Sequence, residues 1–147
     1  MNTAPATLVP AQVDIRTLLA GLEEMMSTMP QVELPLKHIF TTGVYAREIF
    51  IPAGTCVTGK IHRHAHLNFI SRGHVTVRTK DGIEELRGPC TMVSSAGTKR
   101  ALVAHEDTIW TTIHANPTDE RDLEKLEAFI IAPDYDALES QPQGVLP

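Results

Sequence analysis

The segment His62-Arg63-His64-Ala65-His66 places three imidazoles at alternate positions. Imidazole is the commonest protein ligand for transition metals, and its charge changes near neutral pH. On a regular strand alternate side chains share a face, so His62, His64 and His66 form one candidate metal-ligating set. Neighbours two apart stand roughly 6–7 Å from one another at Cα, and residues four apart roughly 13 Å. A straight strand therefore lets an adjacent pair share one ion, with bonds of about 2.0–2.1 Å, but not all three. Threefold ligation requires a bend between His62 and His66, or a ligand from elsewhere, for which His114 is a candidate. Nitrogen-rich ligation without an obvious carboxylate favours zinc, iron, nickel or copper over magnesium or calcium. The alternative is a set of histidines hydrogen-bonded across strands at a polar mouth.

The surrounding sequence supplies strands to hold this cluster. From about residue 36 the apolar period is two: Tyr45, Arg47, Ile49 and Ile51 alternate with Val44, Ala46, Glu48 and Phe50, before a turn at Pro52-Ala53-Gly54. Further strands are expected at 55–62, 66–71, 73–80, 83–87, 90–94, 99–105 and 108–114. Asp81-Gly82 between two of them is a strong hairpin signal. Short strands at this spacing indicate an all-β sandwich or barrel. His105 and His114 fall at the ends of the two arms of an expected hairpin, whereas His38 and His74 stand in no pattern.

Helices are expected on either side. Ile15, Leu18, Leu19, Leu22 and Met26 mark one face of an amphipathic helix over 11–29, closed by Pro30. Thr118 is the expected N-cap of a second helix at about 119–128. The resulting organisation is one domain. A loose arm (1–10) leads to the N-terminal helix (11–30) and the β-barrel (36–116). A C-terminal helical segment (117–139) packs on the barrel, and a loose tail (140–147) ends the chain.

Composition narrows the function classes. The net charge is −5, and residues 119–139 hold eight acidic residues against Arg121 and Lys125. No basic patch offers a nucleic-acid footprint. No apolar run is long enough to span a bilayer, and the first residues lack the pattern of a signal peptide, so synthesis in the cytoplasm is expected. Cys56 and Cys90 are expected as buried thiols, not as a disulfide framework.

The chain resembles the cupin superfamily over about residues 40–115. The first motif of that family runs G-x5-H-x-H-x3,4-E-x6-G, and its second G-x5-P-x-G-x2-H-x3-N. Counting back from Gly73 sets His66 at the glutamate position, His62 at the second histidine and Lys60 at the first, whereas other registers keep a literal H-x-H at 62/64 or 64/66 and set Asn68 or Ile70 at the glutamate position. In the second motif, recognisable from Gly88-Pro89 to Arg100, Ser95 stands for the proline and Arg100 for the histidine. The resemblance implies a cupin-type double-stranded β-helix barrel whose metal ligands come from those four positions. Here two of the four are cations. The stretches 59–68, 97–100 and 105–114 also look like small cupin-like proteins of tailed bacteriophages.

Three functions follow as expectations. One is a histidine site for a divalent transition metal (Zn, Fe, Ni or Cu) at His62, His64 and His66, with the metal acting as Lewis acid or oxygen-activating centre in an enzyme. The second is a non-catalytic phage virion or tail protein that meets other phage structural proteins. The third is a binder of a small anionic molecule through Lys60, Arg100 and His114. A homo-oligomer is expected in each case, and no residue is assigned a catalytic role.

Overall fold

In the computed structural model, residues 14–140 are described, so the expected arm, the first residues of the N-terminal helix and most of the tail lie outside the described residues. The chain divides into two units, Met1–Gln31 and Val32–Pro147. The first contains α1 (Ile15–Ser27), which begins at Asp14 and ends where the Thr28 N–H bonds back to the carbonyls of Met25 and Met26.

Among the described residues the second unit holds eleven strands and two short helices. In chain order they are β1 (Leu36–Thr41), β2 (Val44–Ile51), β3 (Cys56–Thr58), β4 (Ile61–His62), β5 (His66–Arg72) and β6 (His74–Thr79). There follow β7 (Gly82–Arg87), β8 (Cys90–Ser94), β9 (Ala101–Ala104), β10 (Thr108–Ala115), α2 (Leu123–Ile130), β11 (Ile131–Ala132) and α3 (Tyr135–Glu139). One sheet runs β1-β2-β10-β5-β8, a second β3-β9-β6-β7, and a short third pairs β11 with β4.

Alternation explains why the two larger sheets face each other. Ile51, Ile70 and Trp110 from the first sheet meet Val75, Val77, Leu102 and Ala104 from the second in one buried cluster. The odd-even pattern of β10 puts Thr108, Trp110, Thr112 and His114 inward, and that of β5 puts His66, Asn68 and Ile70 inward. The inner face of the first sheet is thus apolar towards Ile70 and Trp110 and polar towards His66 and His114. Tyr45, Leu126 and Ile130 form a second cluster, so α2 packs beside the polar end.

Tight turns need glycine at two points. Asp81-Gly82 closes the β6–β7 hairpin, with Thr79 opposite Gly82 at φ 122°. Gly73, also at φ 122°, carries the chain from β5 to β6, and a Cβ there would stand 2.7 Å from Cα and Cβ of Thr108.

Three expectations change. The strand expected at 55–62 is two strands, β3 and β4, which pair with different partners. The expected hairpin of 99–105 and 108–114 does not form, because β9 and β10 belong to different sheets. The helix expected from residue 119 begins at Leu123, capped by Asp122, whose carboxylate accepts from the N–H groups of Glu124 and Lys125. The preceding residues form a turn instead. The Asn116 amide bonds both main-chain groups of Glu120, and Asp119, at φ 52°, accepts from the Gly43 N–H. No helix among the described residues is long and apolar enough to cross a membrane.

Candidate functional site

The inner polar end gathers three histidines from three strands. His62 ends β4, His66 opens β5, and His114 lies near the end of β10. The last paired residues of β10 and β5 are Ile113 and Leu67, so His114 and His66 follow directly on the inner face. Ring centroids are 4.2 Å apart for His62 and His66, 4.8 Å for His66 and His114, and 5.4 Å for His62 and His114. All three side chains are buried.

The bend required between His62 and His66 occupies Arg63, His64 and Ala65, which lie outside any strand. It is fixed on both sides: the Arg63 N–H donates to Ile130 O at 2.8 Å, and the Gly97 N–H to His62 O at 2.7 Å. His64 lies within this bend. Its ring lies 4.9 Å from that of Phe129, and its buried Nε2 has no hydrogen-bond partner.

Burial sets the charge of the trio. Desolvation, with the neighbouring histidines and Arg47 acting in the same direction, lowers both His62 and His114 to about 3. Burial also lowers His66, against the opposing effect of its hydrogen bond to the His64 backbone. All three rings are therefore neutral at pH 7, the form that ligates metals. His66 Nδ1 faces His64 O at 3.2 Å. A carbonyl oxygen only accepts, so Nδ1 carries the proton and Nε2 holds the free lone pair. That Nε2 is buried and has no hydrogen-bond partner.

The charge of Arg100 depresses both His62 and His66, as that of Arg47 depresses His62 and His114. Among the described residues no carboxylate pairs with Arg100. Its guanidinium donates to Ser94 Oγ and, at 3.4 Å, to Asn68 Oδ1, and it lies 5.1 Å from the Trp110 ring centroid. Fully buried Asn68 joins the network, accepting from Trp110 Nε1 at 3.0 Å and donating to Ser94 Oγ at 2.9 Å. Burial pulls Arg100 down to about 10, which leaves it charged at neutral pH.

Lys60 is placed differently. It is half exposed and pairs with Glu127 of α2. It borders a cavity of about 220 Å³ whose wall also includes Tyr45, Arg47, His62, His114 and Glu127. Tyr45 connects this cavity to the sheet edge: its ring stacks on His114 at 6.1 Å, and its hydroxyl bonds His38 Nδ1 at 2.7 Å. Of the sequence candidates, the structure thus gathers His62, His66 and His114, sets Arg100 beside them, and leaves Lys60 at the cavity rim and His64 against Phe129. Burial raises the Cys56 thiol, the opposite of what activates a nucleophile.

A second cluster was not anticipated. His74, Glu85 and His105 each bring one ligand atom within 4.8 Å of the others, the one such group among the described residues. Sequence spacing hides it, because the three residues come from β6, β7 and the turn after β9. Only the pairing of Val75 with Ala104 and of Thr76 with Glu85 reveals it.

Solved structures share this architecture. A cupin-superfamily protein from Desulfitobacterium hafniense superposes with a TM-score of 0.50 at 12% identity, over 59% of this chain and 81% of its own. The fold is a cupin fold. KdgF from Halomonas sp. gives a TM-score of 0.51 at 19% identity, over 65% of this chain and 88% of its own. An RmlC-like cupin from Shewanella frigidimarina gives 0.50 at 16%, over 62% and 80%. No family model and no curated protein sequence matches the chain. At these identities the cupin likeness concerns the fold, and function has to be argued from the site.

The donor chemistry of the cupin interior fits a transition metal. It offers three neutral imidazoles, one with a lone pair that is buried and unpartnered. It offers no carboxylate at the position where the cupin pattern has glutamate, since His66 stands there. The rings of His62 and His114 lie nearly parallel, at 9°, and the nitrogens of the trio do not converge as closely as those of His74, Glu85 and His105. Bringing them onto one ion takes ring rotation.

Proposed function

We propose that this protein is a metal-binding cupin whose ion is held by His62, His66 and His114. The observation that carries this reading is the His66 imidazole. Its Nδ1–H is committed to the His64 carbonyl, which fixes the tautomer and leaves an unprotonated Nε2 that is buried without a hydrogen-bond partner, in a ring 4.2 Å from that of His62 and 4.8 Å from that of His114. A backbone acceptor on the far nitrogen is the usual support of a ligating histidine. Zinc, iron, nickel or copper suits an all-nitrogen set. Such an ion supplies Lewis acidity or oxygen activation when bound.

The chain's own residues add a second feature. Arg100 is charged, largely desolvated and held by the neutral groups of Asn68 and Ser94. A guanidinium so placed favours an anion, which it can bind through two parallel N–H donors. We therefore take the substrate or ligand to be a small carboxylate or phosphate that approaches the histidine group from the Arg100 side. Elemental analysis of untagged protein tests the metal. The expected result is that His114→Ala holds one equivalent of transition metal less than the wild type. Equal metal content in the two would remove His114 from the site.

A further inference from the structure

We infer that His74, Glu85 and His105 form a second metal site, for Zn²⁺, on the outer face of the β3-β9-β6-β7 sheet. The face follows from the strand pattern. On β6, Val75 and Val77 are buried in the core, so His74 and Thr76 point to the other side. Glu85 stands opposite Thr76 on β7. His105 continues the β9 register past Ala104 and donates its N–H to His74 O at 2.8 Å, which sets the two histidines side by side. Their ring centroids are 4.6 Å apart.

Three features make this arrangement a site. The ligand atoms of all three residues lie within 4.8 Å of one another, close enough for small side-chain rotations to bring them to one ion. His74 Nε2 is buried without a hydrogen-bond partner, and Glu85 Oε2, at 3.7 Å, is too distant to provide one. Thr76 positions the other two ligands, with its hydroxyl 2.6 Å from His105 Nε2 and 3.3 Å from Glu85 Oε1. Two imidazoles and one carboxylate are an established zinc donor set, and three protein ligands leave a fourth position for water. The ion would tie the β6–β7 hairpin to the end of β9. The site is on the opposite side of its sheet from the buried core, and its existence does not depend on the histidine group inside the barrel.

Isothermal titration of the untagged full chain with ZnCl₂ tests this, using His105→Ala, Glu85→Gln, Thr76→Val and His114→Ala. His105 and Glu85 are exposed, so their substitution leaves the fold intact, which circular dichroism checks. The expected result is that one Zn²⁺ equivalent disappears in His105→Ala and Glu85→Gln and persists in His114→Ala. Thr76→Val should weaken that equivalent about tenfold, as loss of an orienting hydrogen bond does. Zinc should also raise the melting temperature of His114→Ala and not that of a His105→Ala/His114→Ala double variant. Unchanged zinc binding in His105→Ala and Glu85→Gln, or zinc loss confined to His114→Ala, would overturn the inference. Failure of the barrel site alone would show instead as unchanged binding in His114→Ala.

Discussion

His66 donates its Nδ1–H to the carbonyl oxygen of His64, two residues back, at 3.2 Å. One histidine thereby orients another through its backbone while its own ring packs against Phe129. The bend at Arg63–Ala65 is thus part of the site. It brings the His62 and His66 rings to 4.2 Å, where a straight strand would hold their Cα atoms roughly 13 Å apart.

Acid should destabilise the protein through this group. His62 and His114 stay neutral in the folded chain down to about pH 3, against an ordinary value of 6.5. Between these values the unfolded chain binds more protons, so stability is fully present above pH 6.5 and is lost as pH falls towards 3. The loss at the bottom of that window is on the order of 5 kcal/mol for one ring and less than twice that for the pair, because the charge of one ring is part of what disfavours the charge of the other. Urea unfolding at a series of pH values should show the decline, and a His62→Gln/His114→Gln variant should show a much flatter one. The same slope in both proteins would mean that other groups cause it.

Anion binding should be visible in the single tryptophan. Trp110 lies beneath Arg100 and shares Asn68 with it. Titration with malonate or phosphate is expected to change the Trp110 emission of the wild type in a saturable way, and to leave Arg100→Met unaffected. A saturable change that survives Arg100→Met would place the anion elsewhere.

Asn68→Leu should cost about 2–4 kcal/mol, because it leaves Trp110 Nε1 without its acceptor and removes one of the partners of Arg100. Leucine is close in size, so little of that loss comes from a cavity. Chemical denaturation measures it, and a loss below about 0.5 kcal/mol would show that the network relaxes onto other partners.

Gly73→Ala should be destabilising by at least about 1–3 kcal/mol. The residue combines a φ of 122° with close approach to the Thr108 backbone, so alanine meets both a strained conformation and a steric clash. Gly82→Ala shares the φ but meets nothing within 4 Å, and should cost less. Thermal unfolding of the pair separates the two effects; equal losses would show that packing against Thr108 is unimportant.

The legible part of this fold was its alternation. Residues 66–71, 83–87 and 90–94 read as strands because their side chains alternate or their ends carry Gly, Pro or Asp, and the observed β5, β7 and β8 lie within a residue or so of those bounds. Pairing was less legible. The sequence places 99–105 next to 108–114, but strand neighbours are decided by which apolar faces meet, and these two strands joined different sheets. The helix start moved from Thr118 to Asp122 because the Asn116 side chain holds Glu120 in a turn and Asp119 is bonded across the fold to Gly43, both in competition with the expected cap. The same holds for chemistry. Local spacing brought His62 and His66 to notice, whereas the contact of His114 with them, and of His74 with His105, depends on cross-strand register that no short motif records.

The most direct test of the central claim is an anomalous difference map from crystals of untagged protein, measured at the absorption edge of the metal found by elemental analysis. A peak is expected bonded to His62, His66 and His114, with the rings of His62 and His114 rotated from their near-parallel arrangement to meet it. A map with the fold intact and no peak among those three side chains, at full metal saturation, would contradict that claim.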